Sequence, residues 1–270
     1  MMVSAELREY AETPDRFAPV PPGSSVTRYD DGRVCVFQGP SWASVSAPNV
    51  GPDEVGALLA RTRELITPGK IVTWWIGPSA RPPDVVERLR AAGLVDPADR
   101  VERAIGLALT EQPADIPPDV AAKRIETFEE FVAAREVQWD AFETPAKRRE
   151  SSRRRFRSDF DESLAFGVPV GFLATLDGRT AATAMSIPSE RGVFLVGGAT
   201  AAWARGRGLY RALVRARWDD AVARGTPALV TQANPDTSYP ILKRLGFEDV
   251  CEIVRLEDAV QSSKTTSPAS

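Results

Sequence analysis

The sequence contains no histidine among its 270 residues. That absence removes Ser-His-Asp and Cys-His catalysis and most catalytic zinc sites, so no metal is expected. Acid–base chemistry is left to carboxylates, tyrosine, cysteine, lysine, backbone groups or water. Cysteine is scarce: Cys35 and Cys251 stand far apart, each in an apolar, strand-like stretch, and read as buried reduced thiols. Nothing beside Cys251 predicts the lowered pKa that a nucleophile needs. No apolar run approaches the roughly 20 residues that span a bilayer, so no membrane partner is expected. Met1 to Tyr10 is acidic and polar where a signal peptide needs an apolar core, which makes a cytoplasmic location the expectation. The net charge of -3 gives no global basic excess, so nucleic acid is an unlikely partner.

What is present is a chain long enough for two modest domains. The proline-rich segment Pro113 to Asp119 reads as a linker, and residues 259–270, rich in Ser, Thr and Lys, as a disordered tail. In the C-terminal half, Ala121-Glu126 is a first strand and a helix follows from Thr127. A second helical region covers about Pro145 to Phe166. Strands follow at Val170-Leu176, Thr180-Ile187 and Val193-Ala199, the first two joined at the hairpin signal Asp177-Gly178. A helix from about Gly208 to Arg224 stops at Gly225. The strand Ala228-Gln232, the short helix Ser238-Leu245 and the strand Val250-Leu256 complete this half.

The N-terminal half ends in a similar order. Gly56-Leu65 is a helix, Ile71-Ile76 a strand, Asp84-Ala92 a helix and Arg103-Leu109 a strand. Ala57-Leu58-Leu59 matches Ala212-Leu213-Val214, Val72-Thr73-Trp74 matches Val230-Thr231-Gln232, and Ala92-Gly93-Leu94 matches Leu245-Gly246-Phe247. This pattern favours a diverged internal duplication. The alternative is that any two αβ domains share such an order.

The chemistry is concentrated in Val193 to Leu213, where a strand runs through Arg205-Gly206-Arg207-Gly208 into a helix. Glycines at a helix mouth let the backbone approach a ligand closely. First-turn amides lack intrahelical acceptors and, with the helix dipole, form an anion site. Arg205, Arg207 and Arg211 add positive charge. It is neither a dinucleotide fingerprint, since position 211 is Arg where a third glycine is required, nor a Walker A loop.

This stretch resembles the acetyl-CoA loop of the GNAT superfamily of N-acetyltransferases, written R/Q-x-x-G-x-G/A, with Tyr210 where the family has a small residue. A second family block is matched by Leu229 to Asn234, the helix from Ser238, and Leu245-Gly246-Phe247. The resemblance covers about residues 120 to 256. It implies an α+β fold of two tandem GNAT-like units, each a mixed, mostly antiparallel twisted sheet flanked by helices. The domains would be 1–112, degenerate, and 120–258, binding acetyl-CoA, with linker 113–119 between them. It implies backbone contacts to the pantetheine arm from Gly198 and Thr200, one of whose amides faces the thioester oxygen. The amides of Gly206 to Tyr210, Leu209 included, would hold the pyrophosphate, and Asn234 would contact the pantetheine. The implied reaction is direct attack of an amine of a small molecule or peptide on acetyl-CoA, by a monomer or homodimer. The alternative is a non-catalytic acetyl-CoA-binding regulatory module.

Two departures from the family favour that alternative. The position of the family's acidic Tyr is Leu242, with Tyr239 one turn earlier and Ser238 beside it. The position of a Glu used by some members is Phe194, and the nearest carboxylate is Glu190 in the preceding turn. Tyr239, Ser238 and Glu190 are the candidate proton-transfer residues, each weighed against plain packing, turn or solvated roles. The basic run Lys147 to Arg157 suits either an anionic acceptor or a solvated helix face. Before the helix of the N-terminal half stand Asp53 and Glu54, which suit a helix dipole and repel a pyrophosphate, so this half is expected to bind no cofactor. Trp74 and Trp75 should point one inward and one outward.

Overall fold

Caps and glycines mark the element boundaries. The computed structural model describes residues 3–97, 101–114, 116–117 and 119–259. Positions 115 and 118 of the linker and the tail from residue 260 lie outside the described residues. The described chain divides into two compact units. Unit 1 holds residues up to 107 with 232–242 and those from 249 onward, and unit 2 holds 108–231 with 243–248.

Unit 1 opens with α1 (Ala5–Glu12), capped by Ser4, whose Oγ accepts from Leu7 N at 3.2 Å. Strands β1 (Thr27–Asp30), β2 (Cys35–Gln38) and β3 (Trp42–Ser46) form an antiparallel meander. Helix α2 (Val55–Leu65) then crosses to β4 (Ile71–Ile76), which lies parallel to β3. Helix α3 (Val85–Ala91) leads to β5 (Arg103–Leu109), whose last two residues fall in unit 2. Trp74 alternates with Trp75 as expected. Trp74 is fully buried in the core with Val45, Leu59 and Leu89, and Trp75 turns to the Arg255 guanidinium at 5.0 Å. Cys35 and Cys251 are free, and burial pushes both thiols up to about 12, so neither is a nucleophile at neutral pH.

In unit 2, β6 (Ala121–Arg124) precedes α4 (Phe128–Ala141). Thr127 caps α4: its hydroxyl accepts from Glu130 N at 3.2 Å, and the Glu130 carboxylate accepts from Thr127 N at 3.3 Å. The second helical region is two helices, α5 (Ala146–Arg153) and α6 (Phe156–Phe166), with a break that the sequence reading did not place. No glycine or proline marks the break, and Arg154 and Arg155 turn the chain there. Packing supplies the reason. Phe156 stacks on Trp139 at 5.0 Å and meets Phe131 edge-on at 5.5 Å, while Phe160 meets Phe131 at 5.6 Å. Strands β7 (Val170–Leu176), β8 (Arg179–Ser189) and β9 (Gly192–Thr200) follow as an antiparallel run beginning from β6. Helix α7 (Leu209–Ala223) returns to β10 (Leu229–Ala233), parallel to β9. The strand–helix–parallel-strand order of β9, α7 and β10 thus repeats that of β3, α2 and β4. Helix α8 (Tyr239–Arg244) and β11 (Glu248–Glu257) complete the chain. Strand β11 pairs antiparallel with β4 in unit 1, matching Val254 to Ile76 and Leu256 to Trp74. Both units are α+β, with mixed sheets flanked by helices.

Candidate functional site

Strand β9 is interrupted where the sequence reads Gly197-Gly198. On β8, Thr183 faces Ala199 and Met185 faces Val196, so β9 carries an extra residue between these pairs, a β-bulge. Gly197 has φ +63°, and an added Cβ would sit 2.9 Å from Gln138 Nε2. An added Cβ on Gly198 would lie 2.7 Å from Tyr210 Cε2. Two glycines are needed there for two reasons, conformation and space.

The edge of β9 away from β8 is only partly covered. β10 pairs with it at Val193 and Phe194, and the next contact uses a side chain, with Thr231 Oγ1 donating to the Leu195 carbonyl at 3.1 Å. Ala201 N donates to Ala181 O of the β8 side at 2.8 Å. Alternation then turns the backbone groups of Thr200 toward the other edge.

A single turn, Ala202–Ala204, carries β9 into the glycine loop. Gly206 (φ +79°) and Gly208 (φ +83°) both take the left-handed conformation. Gly208 is the N-cap of α7 and brings no side-chain cap, which leaves the amides of Leu209, Tyr210 and Arg211 without a partner from the cap. A Cβ at Gly208 would lie 2.6 Å from Pro117 Cγ, so glycine is required sterically as well. Arg207 pairs loosely with Asp119 at 3.4 Å, both exposed. Arg205 is exposed and Arg211 half-buried, and neither forms an ion pair among the described residues.

Behind the loop lies a group that no sequence pattern announced. Arg217 is 1 % exposed. Its Nε donates to the Leu213 carbonyl at 3.0 Å, its guanidinium bonds the Tyr210 side chain, and its Nη2 has no partner. Desolvation depresses its pKa. Tyr210, in the position of the family's small residue, is thereby held between Gly198 and Arg217. A second unannounced contact lies on the opposite side: Gln138 Nε2 donates to the Gly197 carbonyl at 3.3 Å.

The remaining sequence-predicted residues fall elsewhere. Asn234, Ser238 and Tyr239 belong to unit 1. Asn234 Oδ1 accepts from Asp236 N at 2.8 Å, and Asn234 N donates to Ser238 Oγ at 3.0 Å, so both side chains shape the turn before α8. Tyr239 Oη donates to Asp249 Oδ2 at 3.2 Å. Leu242 is fully buried and Phe194 nearly so, as expected of core positions. Glu190 is exposed at the β8–β9 turn, whose Ser189 hydroxyl accepts from Arg191 N at 3.2 Å. At about 3.3 Å per residue the strand separates that turn from the bulge by roughly 20 Å, so Glu190 does not join the cluster. In unit 1 a carboxylate stands at the corresponding helix mouth. Glu54 accepts from Gly51 N at 2.8 Å and pairs with Arg33 at 2.6 Å, and these bonds hold its carboxyl below the usual range.

The fold resembles that of solved GNAT acetyltransferases. The sequence matches no family model and, significantly, no curated protein. Solved structures do match. A GCN5-related N-acetyltransferase from Kribbella flavida is 18% identical with a TM-score of 0.64, over 95% of this chain and 96% of that one. A tandem GNAT protein from the clavulanic acid biosynthesis pathway is 17% identical with a TM-score of 0.55, over 98% and 89%. A GCN5-related N-acetyltransferase from Sphaerobacter thermophilus is 18% identical with a TM-score of 0.53, over 84% and 80%. At such identities the likeness establishes the fold, and the two-unit arrangement agrees with the tandem protein.

Proposed function

We propose that this chain is an N-acetyltransferase that moves the acetyl group of acetyl-CoA to an amine of a small molecule or peptide, by direct attack in a ternary complex. The observation that carries the reading is the continuous path in unit 2 from a bulged strand with an uncovered edge to an uncapped, glycine-mouthed helix. Gly198 and Thr200 offer backbone groups to a pantetheine arm. The amides from Gly206 to Tyr210, with Arg205, Arg207 and Arg211 nearby, suit a pyrophosphate. Asn234 is assigned to the pantetheine through its Nδ2, since the turn engages its N, O and Oδ1. An amide of Gly198 or Thr200 would face the thioester oxygen, where charge develops as the amine adds.

The neutral amine attacks the acetyl carbon, the C–S bond breaks, and the departing thiolate takes a proton. Tyr239 is the proposed donor, with Ser238 fixing the turn before it. Water takes the proton lost by the amine, since Glu190 lies at the far end of the hairpin. Positioning and oxyanion stabilisation supply most of the rate in such a scheme.

Thermal-shift titration with acetyl-CoA and with CoA tests the cofactor. Both should raise the melting temperature, and Gly208→Glu should abolish the shift by blocking space and adding charge. Retained binding in that variant sinks the loop assignment. The second reading, a non-catalytic acetyl-CoA-binding module, is favoured by the burial of Leu242 and the apolar Phe194. Thiol release over an amine panel, with cofactor binding intact, separates the two.

A further inference from the structure

Two arginines in unit 2 turn unused donors inward. Arg135, midway along α4, gives Nη1 to Gln138 Oε1 at 2.8 Å, and Gln138 passes the link to the Gly197 carbonyl at 3.3 Å. The Nε of Arg135 is buried and unpartnered. Arg155, at the head of α6, has a buried, unpartnered Nε as well. Neither guanidinium forms an ion pair with a described residue. Other arginines of the same basic run are matched: Arg149 with Asp140 at 2.6 Å, Arg153 with Glu136 at 2.6 Å, Arg154 with Glu150 at 3.5 Å.

Asp159, one turn along α6 from Arg155, senses both arginines. It is half-buried, and desolvation raises its pKa despite the two cations. Asp159 forms no ion pair with either guanidinium, and its single charge offsets only one of the two cations. The Phe131 and Phe156 rings each lie 5.9 Å from the Arg135 guanidinium and give the site an apolar wall. Unpaired charge and unmet donors in such surroundings are costly, and an anion supplied from outside relieves both.

The geometry points to a recognition site for an anionic group of the acceptor, a carboxylate or a phosphate, held by Arg135 and Arg155 beside the Gly197 carbonyl. The inference rests on the N-acetyltransferase reading, because Gly197 adjoins the strand position proposed to face the thioester. It narrows the acceptor to amines that carry an acid group, and guanidinium forks suit planar carboxylates and phosphates alike.

Arginine Nε–H signals of the full-length, CoA-saturated protein, titrated with acetate and with phosphate, test it. The Arg135 and Arg155 signals should move and saturate in the millimolar range. Arg155→Gln should weaken that response by about tenfold or more, as loss of a charge-assisted pair predicts. Arg135→Lys, which keeps the charge and loses the fork, guards against misfolding and should weaken it less. Response to acetate alone assigns a carboxylate, to phosphate alone a phosphate, and to both a general anion subsite. No movement with either ion overturns the proposal, as does an unchanged response in Arg155→Gln. A turnover comparison of L-alanine with L-alaninamide adds a second readout. The acid should be favoured, and Arg155→Gln should erase the preference while leaving the CoA thermal shift intact. Failure of CoA to bind removes the acetyltransferase reading but leaves the ion titration to decide the subsite.

Discussion

Single residues in this protein are set against their ordinary chemistry in a few places, and Asp15 is the clearest. Its carboxylate is enclosed in unit 1 and accepts from the Ser44 hydroxyl, yet desolvation outweighs that bond and raises its pKa from 3.8 to about 6. The unfolded chain therefore ionises Asp15 two units below the native state. Native stability falls as pH rises from about 4 to about 6 and is then flat, with a total penalty of up to about 3 kcal/mol at 1.36 kcal/mol per unit. Asp15→Asn keeps a polar partner for Ser44 and removes the charge. It should raise the melting temperature by several degrees at pH 8 and change it little at pH 4, as scanning calorimetry at the two pH values will read. A gain of equal size at both would show that charge is not the cause. Tyr239→Phe, at the same scale, should slow thiol release about tenfold or more without weakening CoA binding if its hydroxyl serves the leaving thiolate. Unchanged turnover removes Tyr239 from that role.

At the scale of elements, local chemistry was legible and tertiary chemistry was not. The helix over 209–223 was visible because Gly208 opens it and Gly225 closes it, and the hairpin because Asp177-Gly178 supplies two left-handed residues. The strands 71–76, 103–109 and 170–176 were bounded in the sequence where the structure ends them. Of the meander only the strand-like stretch at Cys35 was read, since β1 and β3 are short and half patterned. The break between α5 and α6 follows from aromatic packing on α4, which no local signal encodes. Gln138 on the Gly197 carbonyl joins residues 59 apart in sequence, and Arg217 lies two turns along α7 from Tyr210, so each alone reads as an ordinary helix residue. The contact between α7 and the bulge can be tested as a pair. Gly198→Ala places a methyl 2.7 Å from Tyr210 Cε2 on a backbone that tolerates alanine, so the strand or the ring must shift. It should cost about 1–3 kcal/mol in urea unfolding, as overpacking does, and weaken CoA binding. Adding Tyr210→Ala frees that space and should restore part of the loss, less the cost of leaving Arg217 one partner short. Strict additivity in the double variant would show that ring and strand do not meet.

For the whole molecule, the order of the sequence is not the order of the units. Unit 1 draws on residues up to 107, on 232–242 and on the segment from 249 onward. The late segment is built into its interior. Strand β11 completes the sheet beside β4, Leu256 is fully buried in the core with Trp74 and Val72, and Asp258 N donates to Val72 O at 3.1 Å. Asp258 itself is 1 % exposed and takes Arg63 in two hydrogen bonds, at 2.7 and 3.0 Å. A fragment ending in the proline-rich segment 113–119 would expose β4 as an apolar edge and leave Arg63 without its buried partner. Arg63, whose side chain is 26 % exposed, loses two charge-assisted hydrogen bonds, a cost of about 1.5–3 kcal/mol. Loss of a core strand adds to it. The fragment 1–112 should therefore lack a cooperative unfolding transition and aggregate through that edge. Co-expression with residues 113–270 should restore a soluble, cooperatively melting complex, because the same strand is then supplied in trans. A cooperative, monomeric 1–112 fragment would show that β11 is an accessory to unit 1 and not part of its core.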